Sequence, residues 1–164
     1  MKPLPEEKES QMPDTSAVVA AADKLAKRDE AALELLIGLR ADAIEKDPSL
    51  ADDVNLEPHY EAGLMGPLDD IKSLGRRILN RWNKELHDIV CGNEKTDKTD
   101  RQAILASLNL GEAAVIAAVA TALLSLGVVA ALAAVLAPLI VKRFIWPAKD
   151  ELCGAWGDAL HAND

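Results

Sequence analysis

His87 and Cys91 are the two side chains whose types and spacing come nearest to a chemical site. They lie four residues apart, which places both on one face of a helix, as many metal ligands are placed. A zinc site needs three or four ligands, however. His59, His161 and Cys153 have no spacing that recruits them to this pair. The pattern therefore predicts no metal site, and no motif in the chain indicates a cofactor.

Two pairs of adjacent aspartates, Asp52–Asp53 and Asp69–Asp70, raise the question of carboxylate catalysis. Acid–base chemistry needs side chains that converge, whereas neighbours on a helix point in different directions. The second pair falls in the first turn of a predicted helix, where the helix dipole favours anions. The chain also has no phosphate-binding loop, nucleophile elbow or dinucleotide-binding glycine pattern. We therefore predict no catalytic residue and a non-enzymatic protein.

The formal net charge of −9 argues against a nucleic-acid partner, because phosphate neutralisation requires clustered lysines and arginines. One local basic cluster departs from this acidity, and it consists of Arg76, Arg77, Arg81 and Lys84. It can contact anionic lipid head groups or an acidic partner. It can equally pair with the acids of a preceding helix, and the sequence leaves the two alternatives open.

Cys91 and Cys153 fit no disulfide framework, and we predict that both are free thiols. Residues 1–14 combine prolines with mixed charges, which predicts a flexible tail. This segment lacks the basic start and apolar core of a signal peptide. We therefore expect residues 15–110 to form a soluble α-helical domain in the cytoplasm.

The apolar content comes from Ala, Leu and Val rather than from alternating β-branched and aromatic residues, which predicts an all-α fold. Amphipathic helices are expected at about 16–46, 67–91 and 100–110. Pro48 ends the first and Gly92 ends the second, while a Thr-x-x-Gln capping box at Thr99 opens the third.

Residues 113–141 form an apolar stretch without a charged side chain. As one helix it would extend roughly 43 Å, against about 30 Å for the hydrocarbon core of a bilayer. Bent at Gly127, each half would reach only about 21 Å. We expect one long helix or a hairpin at about 112–145, within a transmembrane segment at 111–146. Residues 147–164 are expected to be a short amphipathic tail containing a helix.

Small residues and flanking side chains around this stretch supply the candidate contact residues. Small residues at every fourth position let helices approach closely. The predicted helix-packing face consists of Ala113, Ala117, Thr121, Ser125, Gly127 and Ala131. Basic and aromatic residues at an apolar boundary are typical of membrane-interface anchors. The predicted anchors are Lys142, Arg143, Trp146 and Trp156.

Two hypotheses follow from these patterns. The first is a membrane protein whose apolar helix inserts into the bilayer and self-associates, as an anchor, an assembly subunit or a pore-forming effector. Its acidic cytoplasmic helices would bind a partner, so its partners would be the bilayer and either a second copy or another protein. The second is a soluble cytoplasmic helical bundle that mediates protein interactions, with residues 113–141 buried as core or in a subunit interface.

Overall fold

The computed structural model describes residues 15–92 and 98–162, and every regular element within these ranges is helical. This confirms the predicted all-α class. The predicted tail at residues 1–14 lies outside the described residues. The α-helices are α1 (Thr15–Leu25), α2 (Glu30–Lys46), α3 (Ala62–Met65), α4 (Leu68–Cys91), α5 (Lys98–Ser107), α6 (Glu112–Ser125), α7 (Ala130–Ile140) and α8 (Leu152–Ala162).

Three short helical turns of different pitch complete the described elements. Residues Pro48–Asp52 and Lys149–Glu151 form 3-10 turns, and Val141–Ile145 forms a π-helical turn that continues α7. The first 3-10 turn begins at the proline predicted to end the preceding helix.

The helix expected at 16–46 is two helices, α1 and α2, separated by residues 26–29. Asp29 is the N-cap of α2, and its side chain accepts a hydrogen bond of 2.8 Å from the backbone N–H of Ala32. An aspartate in this position satisfies a backbone donor that the new helix leaves unpaired. The same residue interrupts the apolar pattern in the sequence, and the interruption marks a helix start.

The α2 and α4 helices cross at close range because each carries a glycine at the contact. A Cβ atom at Gly38 would overlap the carbonyl oxygen of Ile71, and a Cβ atom at Gly75 would overlap that of Glu34. The observed α4 helix, Leu68–Cys91, agrees with the helix predicted at 67–91. The glycine pair therefore fixes how α4 lies on the first part of the bundle.

The apolar stretch folds as a hairpin of α6 and α7, not as one long helix. Gly127 has a φ of +97°, a conformation that favours glycine, and the N–H of Val128 donates to the carbonyl of Leu123 at 3.0 Å. α7 is the centre of the core: all its residues are buried except Leu132, which is half-buried. Helices α1, α2, α4 and α6 contact it.

Neither arm of the hairpin reaches the thickness of a bilayer core. The α6 helix has 14 residues and extends about 21 Å. Within the described ranges, no single helix is both long enough and apolar enough to cross a membrane. One bent pair, Ala130–Ile145 with Lys149–Leu160, satisfies the length and composition criteria jointly, with an angle of 71° between its parts.

Cys91 and Cys153 form a disulfide, so the prediction of two free thiols is wrong. Cys91 ends α4 and Cys153 lies in the first turn of α8, and the fold brings their Cα atoms to 5.6 Å. The two cysteines are 62 residues apart in sequence, and no local pattern reveals such a pairing. The bond holds α8 against the end of α4.

A buried hydrogen bond fixes α8 at a second point. The indole Nε1 of Trp156 donates to Asn83 Oδ1 on α4 at 2.8 Å, and neither residue has exposed surface. The ring of His87 contacts the same indole edge-on, with 5.0 Å between the ring centroids. The C-terminal helix is therefore an integral part of the bundle.

Replacing Gly75 with alanine tests the close contact between α2 and α4. The added methyl group would overlap backbone rather than a side chain that can move, so we expect a loss of about 1–3 kcal/mol in the free energy of unfolding. Urea denaturation measures it. Gly63→Ala is the matched control, since a Cβ there has no neighbour within 4 Å and should leave stability almost unchanged. Equal stability of the two variants would contradict the described crossing.

The disulfide predicts both a thiol count and a stability change. Protein unfolded without reductant should show no free thiol with a colorimetric reagent, and two after reduction. The Cys91→Ser, Cys153→Ser double variant should lose about 4 kcal/mol of unfolding free energy, because the bond closes a loop of about 60 residues in the unfolded chain. Two reactive thiols in the unreduced protein would refute the pairing.

Candidate functional site

The outer side of α6 gathers four of the six predicted helix-packing residues into one row. Ala113, Thr121 and Ser125 are exposed and Ala117 is half-buried. Different residues form the inner side of α6 and pack into the core: Val115, Ile116, Val119, Ala120, Ala122 and Leu123. The remaining two predicted residues lie elsewhere, because Gly127 is exposed at the hairpin turn and Ala131 is fully buried in α7.

The outer row, defined as Ala113, Ala117, Thr121 and Ser125, carries no charge. Surface helices normally place charged side chains on the face that meets water. The two hydroxyl groups in the row also turn back onto their own helix: Thr121 Oγ1 donates to the carbonyl of Ala117 at 2.9 Å, and Ser125 Oγ donates to that of Thr121 at 3.2 Å. The row therefore presents small, mostly apolar groups to the outside.

A groove of about 470 Å³ adjoins the N-terminal end of this row, between α1 and α6. Both helices contribute apolar residues to its lining, and the carboxylate of Asp23 also lines it. The lining residues are Thr15, Ser16, Val19, Ala20, Asp23, Ala113 and Ile116. Close by in sequence, Leu110 is 76% exposed just before α6 begins. This end of the hairpin thus combines a concave surface with apolar groups that the fold leaves uncovered.

The predicted anchors Lys142 and Arg143 make contacts inside the bundle. Lys142 Nζ donates to the carbonyl oxygens of Ala26 and Arg28, both at 2.7 Å, and so satisfies acceptors in the turn after α1. Arg143 Nε lies 2.8 Å from Glu30 Oε1. Together the two side chains fasten the end of the hairpin to the junction of α1 and α2.

The two predicted aromatic anchors differ in exposure. Trp146 is half-buried, and the Nζ of Lys149 lies 4.1 Å from its ring centroid, within the range of a cation–π contact. Trp156 is fully buried on α8. In this conformation only the first of the two offers part of its ring to a partner.

All four residues of the basic cluster lie on the exposed side of α4. Arg76 Nε is 3.4 Å from Glu34 Oε2, so one residue of the cluster pairs with an acid of a preceding helix. The guanidinium of Arg81 lies 4.5 Å from the ring centroid of Trp82. Arg77 and Lys84 are exposed as well. The cluster is separate from the outer row, which belongs to another helix.

Arg40 is the residue whose importance the sequence analysis missed. It is only 1% exposed, and its Nη1 donates to the carbonyl of Ala131 in the first turn of α7 at 2.7 Å. Its Nε has no hydrogen-bond partner among the described residues. Burial lowers the pKa of Arg40 to about 10, so the side chain stays protonated at neutral pH. In the sequence, the sign of this role was that Arg40 interrupts the apolar face of the helix predicted at 16–46.

A cavity of about 240 Å³ lies beside Arg40, between α1, α2 and the loop after the first 3-10 turn. Arg28 and Glu57 line it and form a two-point ion pair, with N–O distances of 2.9 and 3.0 Å. Hydrogen bonding within this pair raises the pKa of Arg28 and lowers that of Glu57. Lys24 and Asn55 complete the polar lining.

The His87 and Cys91 pair does not form a metal site in the described part of the chain. Cys91 is in the disulfide, and His87 Nε2 lies 3.5 Å from the carbonyl of Cys153. Among the described residues, no group of three or more His, Cys, Asp or Glu side chains is placed to hold a metal ion.

Comparison with known protein families, with characterised proteins and with solved structures finds no match for this chain. The features of the described residues that bear on function are the outer row of α6, the hairpin and the polar cavity.

Proposed function

We propose that this protein is a non-enzymatic α-helical assembly module that associates through the outer row of α6 with the same row of a second copy. The observation that carries the proposal is the uncharged, exposed side of α6 in a chain of net charge −9. An uncharged helix face is covered more favourably by another apolar surface than by water.

The size of the side chains favours a helix as the partner. Alanine, threonine and serine bury little apolar area against lipid tails, but they allow two helix backbones to approach closely. Their spacing of four residues follows one of the two side-chain rows along which helices pack into each other. The hydroxyl groups already bonded within α6 need no partner across the interface.

The symmetry of homo-oligomers favours a second copy of this chain. In a two-fold dimer the same patch occurs on both sides, and it must fit itself. A row of small residues is self-complementary, and it brings no like charges together at its centre. The groove beside α1 gives such a dimer a place for apolar groups such as Leu110.

Thr121→Arg tests the proposed interface. The residue is exposed, so the fold should persist while a charge enters the middle of the row. We expect wild-type protein to behave as a dimer in light scattering coupled to size-exclusion chromatography, and the variant as a monomer, with a dissociation constant raised at least about tenfold.

Ala31→Arg is the matched control, because it adds the same charge at an exposed alanine of α2. It should remain dimeric. A wild-type protein that is monomeric at about 100 μM, or a control that dissociates as readily as Thr121→Arg, would refute the proposed interface.

A membrane-associated protein is the second candidate, and the uncharged stretch at 113–141 favours it. Insertion would require the hairpin to leave the helices that cover it, because every residue of α7 except Leu132 is buried. The contacts of Lys142 and Arg143 with the α1–α2 junction would have to break. In this candidate those two residues act as a latch that keeps the hairpin inside the bundle.

Vesicle flotation of a latch variant separates the two candidates. If the hairpin inserts, Lys142→Gln, Arg143→Gln should float with phosphatidylglycerol-containing vesicles more than wild type, and alkaline carbonate should not release it. Lys27→Gln, Lys72→Gln removes the same charge at two exposed positions and should match wild type. Absence of flotation for all three proteins would eliminate the membrane candidate.

The disulfide also bears on location. Disulfides persist mainly in oxidising compartments, whereas cytoplasmic thiols are kept reduced. We infer that the Cys91–Cys153 pair favours an oxidising location over the predicted cytoplasmic one.

A further inference from the structure

We propose that the cavity beside Arg40 is a binding site for a small oxyanion, the carboxylate or phosphoryl group of a small molecule. The site is independent of the outer row of α6. It goes beyond the proposed assembly function, because it assigns a ligand to a different part of the bundle.

The buried guanidinium of Arg40 is the first observation. No described carboxylate forms an ion pair with it, and its one hydrogen bond goes to the neutral carbonyl of Ala131. A buried charge is costly unless it is paired and its hydrogen-bonding groups are satisfied. The Nε is buried without a partner among the described residues, so the protein does not satisfy all the donors of this guanidinium, a group that suits an oxyanion.

The second observation is the composition of the cavity wall. Three cationic side chains line it, Lys24, Arg28 and Arg40, against a single carboxylate, Glu57. With Asp53, which acts on Arg40 electrostatically from beside the lining, the balance is three cations to two carboxylates, against a net charge of −9 for the chain. The amide of Asn55 adds a neutral side chain that can donate to an oxygen.

Glu57 is the internal competitor for this site. Both of its carboxylate oxygens are bonded to Arg28, so it attracts Arg40 through space without a hydrogen bond, as Asp53 also does. An incoming oxyanion would meet repulsion from Glu57 and Asp53 and attraction from the three cations. Removing the charge of Glu57 should therefore strengthen anion binding, an effect opposite in sign to that of removing a cation.

Titration calorimetry of the full-length protein with inorganic phosphate, and separately with acetate, tests the site at pH 7 and constant ionic strength. We expect saturable binding of at least one of the two probes. Binding of phosphate alone assigns a phosphoryl ligand, and binding of acetate alone assigns a carboxylate. The bound probe should also raise the thermal unfolding midpoint.

Three variants and one control test the expected direction of each change in anion affinity. Arg40→Met and Lys24→Gln should weaken binding, the first by about tenfold or more, while Glu57→Gln should strengthen it. Arg77→Gln removes an exposed arginine on α4, away from the cavity, and should bind as wild type does. If Arg40→Met does not fold, the opposite shifts of the other two variants still decide the question.

Several results would overturn the site. If neither probe binds to the wild-type protein, the proposed site is refuted. A loss of affinity in Arg77→Gln as large as that in Lys24→Gln would also refute it, because binding would then reflect general surface charge. Unchanged affinity in both Lys24→Gln and Glu57→Gln would place any bound anion elsewhere.

Discussion

The apolar character of α7 on every side is the constraint on which the rest of the structure depends. A helix without a polar face cannot lie against water, so it must be surrounded. Helices α1, α2, α4 and α6 surround it, and the amphipathic helices turn their charged sides outward. The polar contacts at its ends serve the same arrangement: Arg40 bonds to its first turn, while Lys142 and Arg143 fasten the residues that follow it.

Covering α7 leaves α6 only half covered. The hairpin turn at Gly127 places α6 at the side of the bundle, where its inner residues seal the core and its outer row meets the surroundings. In an amphipathic helix that outer side would be charged, but residues 113–125 contain no charged side chain. The two functional candidates are two ways of covering this surface: a second copy in the closed conformation, or a bilayer after the hairpin opens.

The second feature of functional interest is a charged side chain, Arg40, that is buried in the same bundle. Arg40 is a buried cation whose Nη1 donates to the first turn of α7, and its burial carries a desolvation cost. A cavity lined by Lys24, Arg28, Asn55 and Glu57 adjoins the buried arginine. Because the outer row and this cavity use different helices and different chemistry, assembly and anion binding can be tested separately.

Local patterns in the sequence determined the all-α class and the extent of α4 and marked Gly127 as a place where the apolar stretch could bend, because helix periodicity, capping residues and glycine conformation act over a few residues. Tertiary structure alone decided between one long helix and a hairpin, since that choice depends on whether other helices can cover both arms. It also decided the pairing of Cys91 with Cys153, the burial of Trp156 and the isolation of Arg40 beside a cavity. Each of these depends on contacts between segments far apart in the chain, and no spacing in the sequence encodes such contacts.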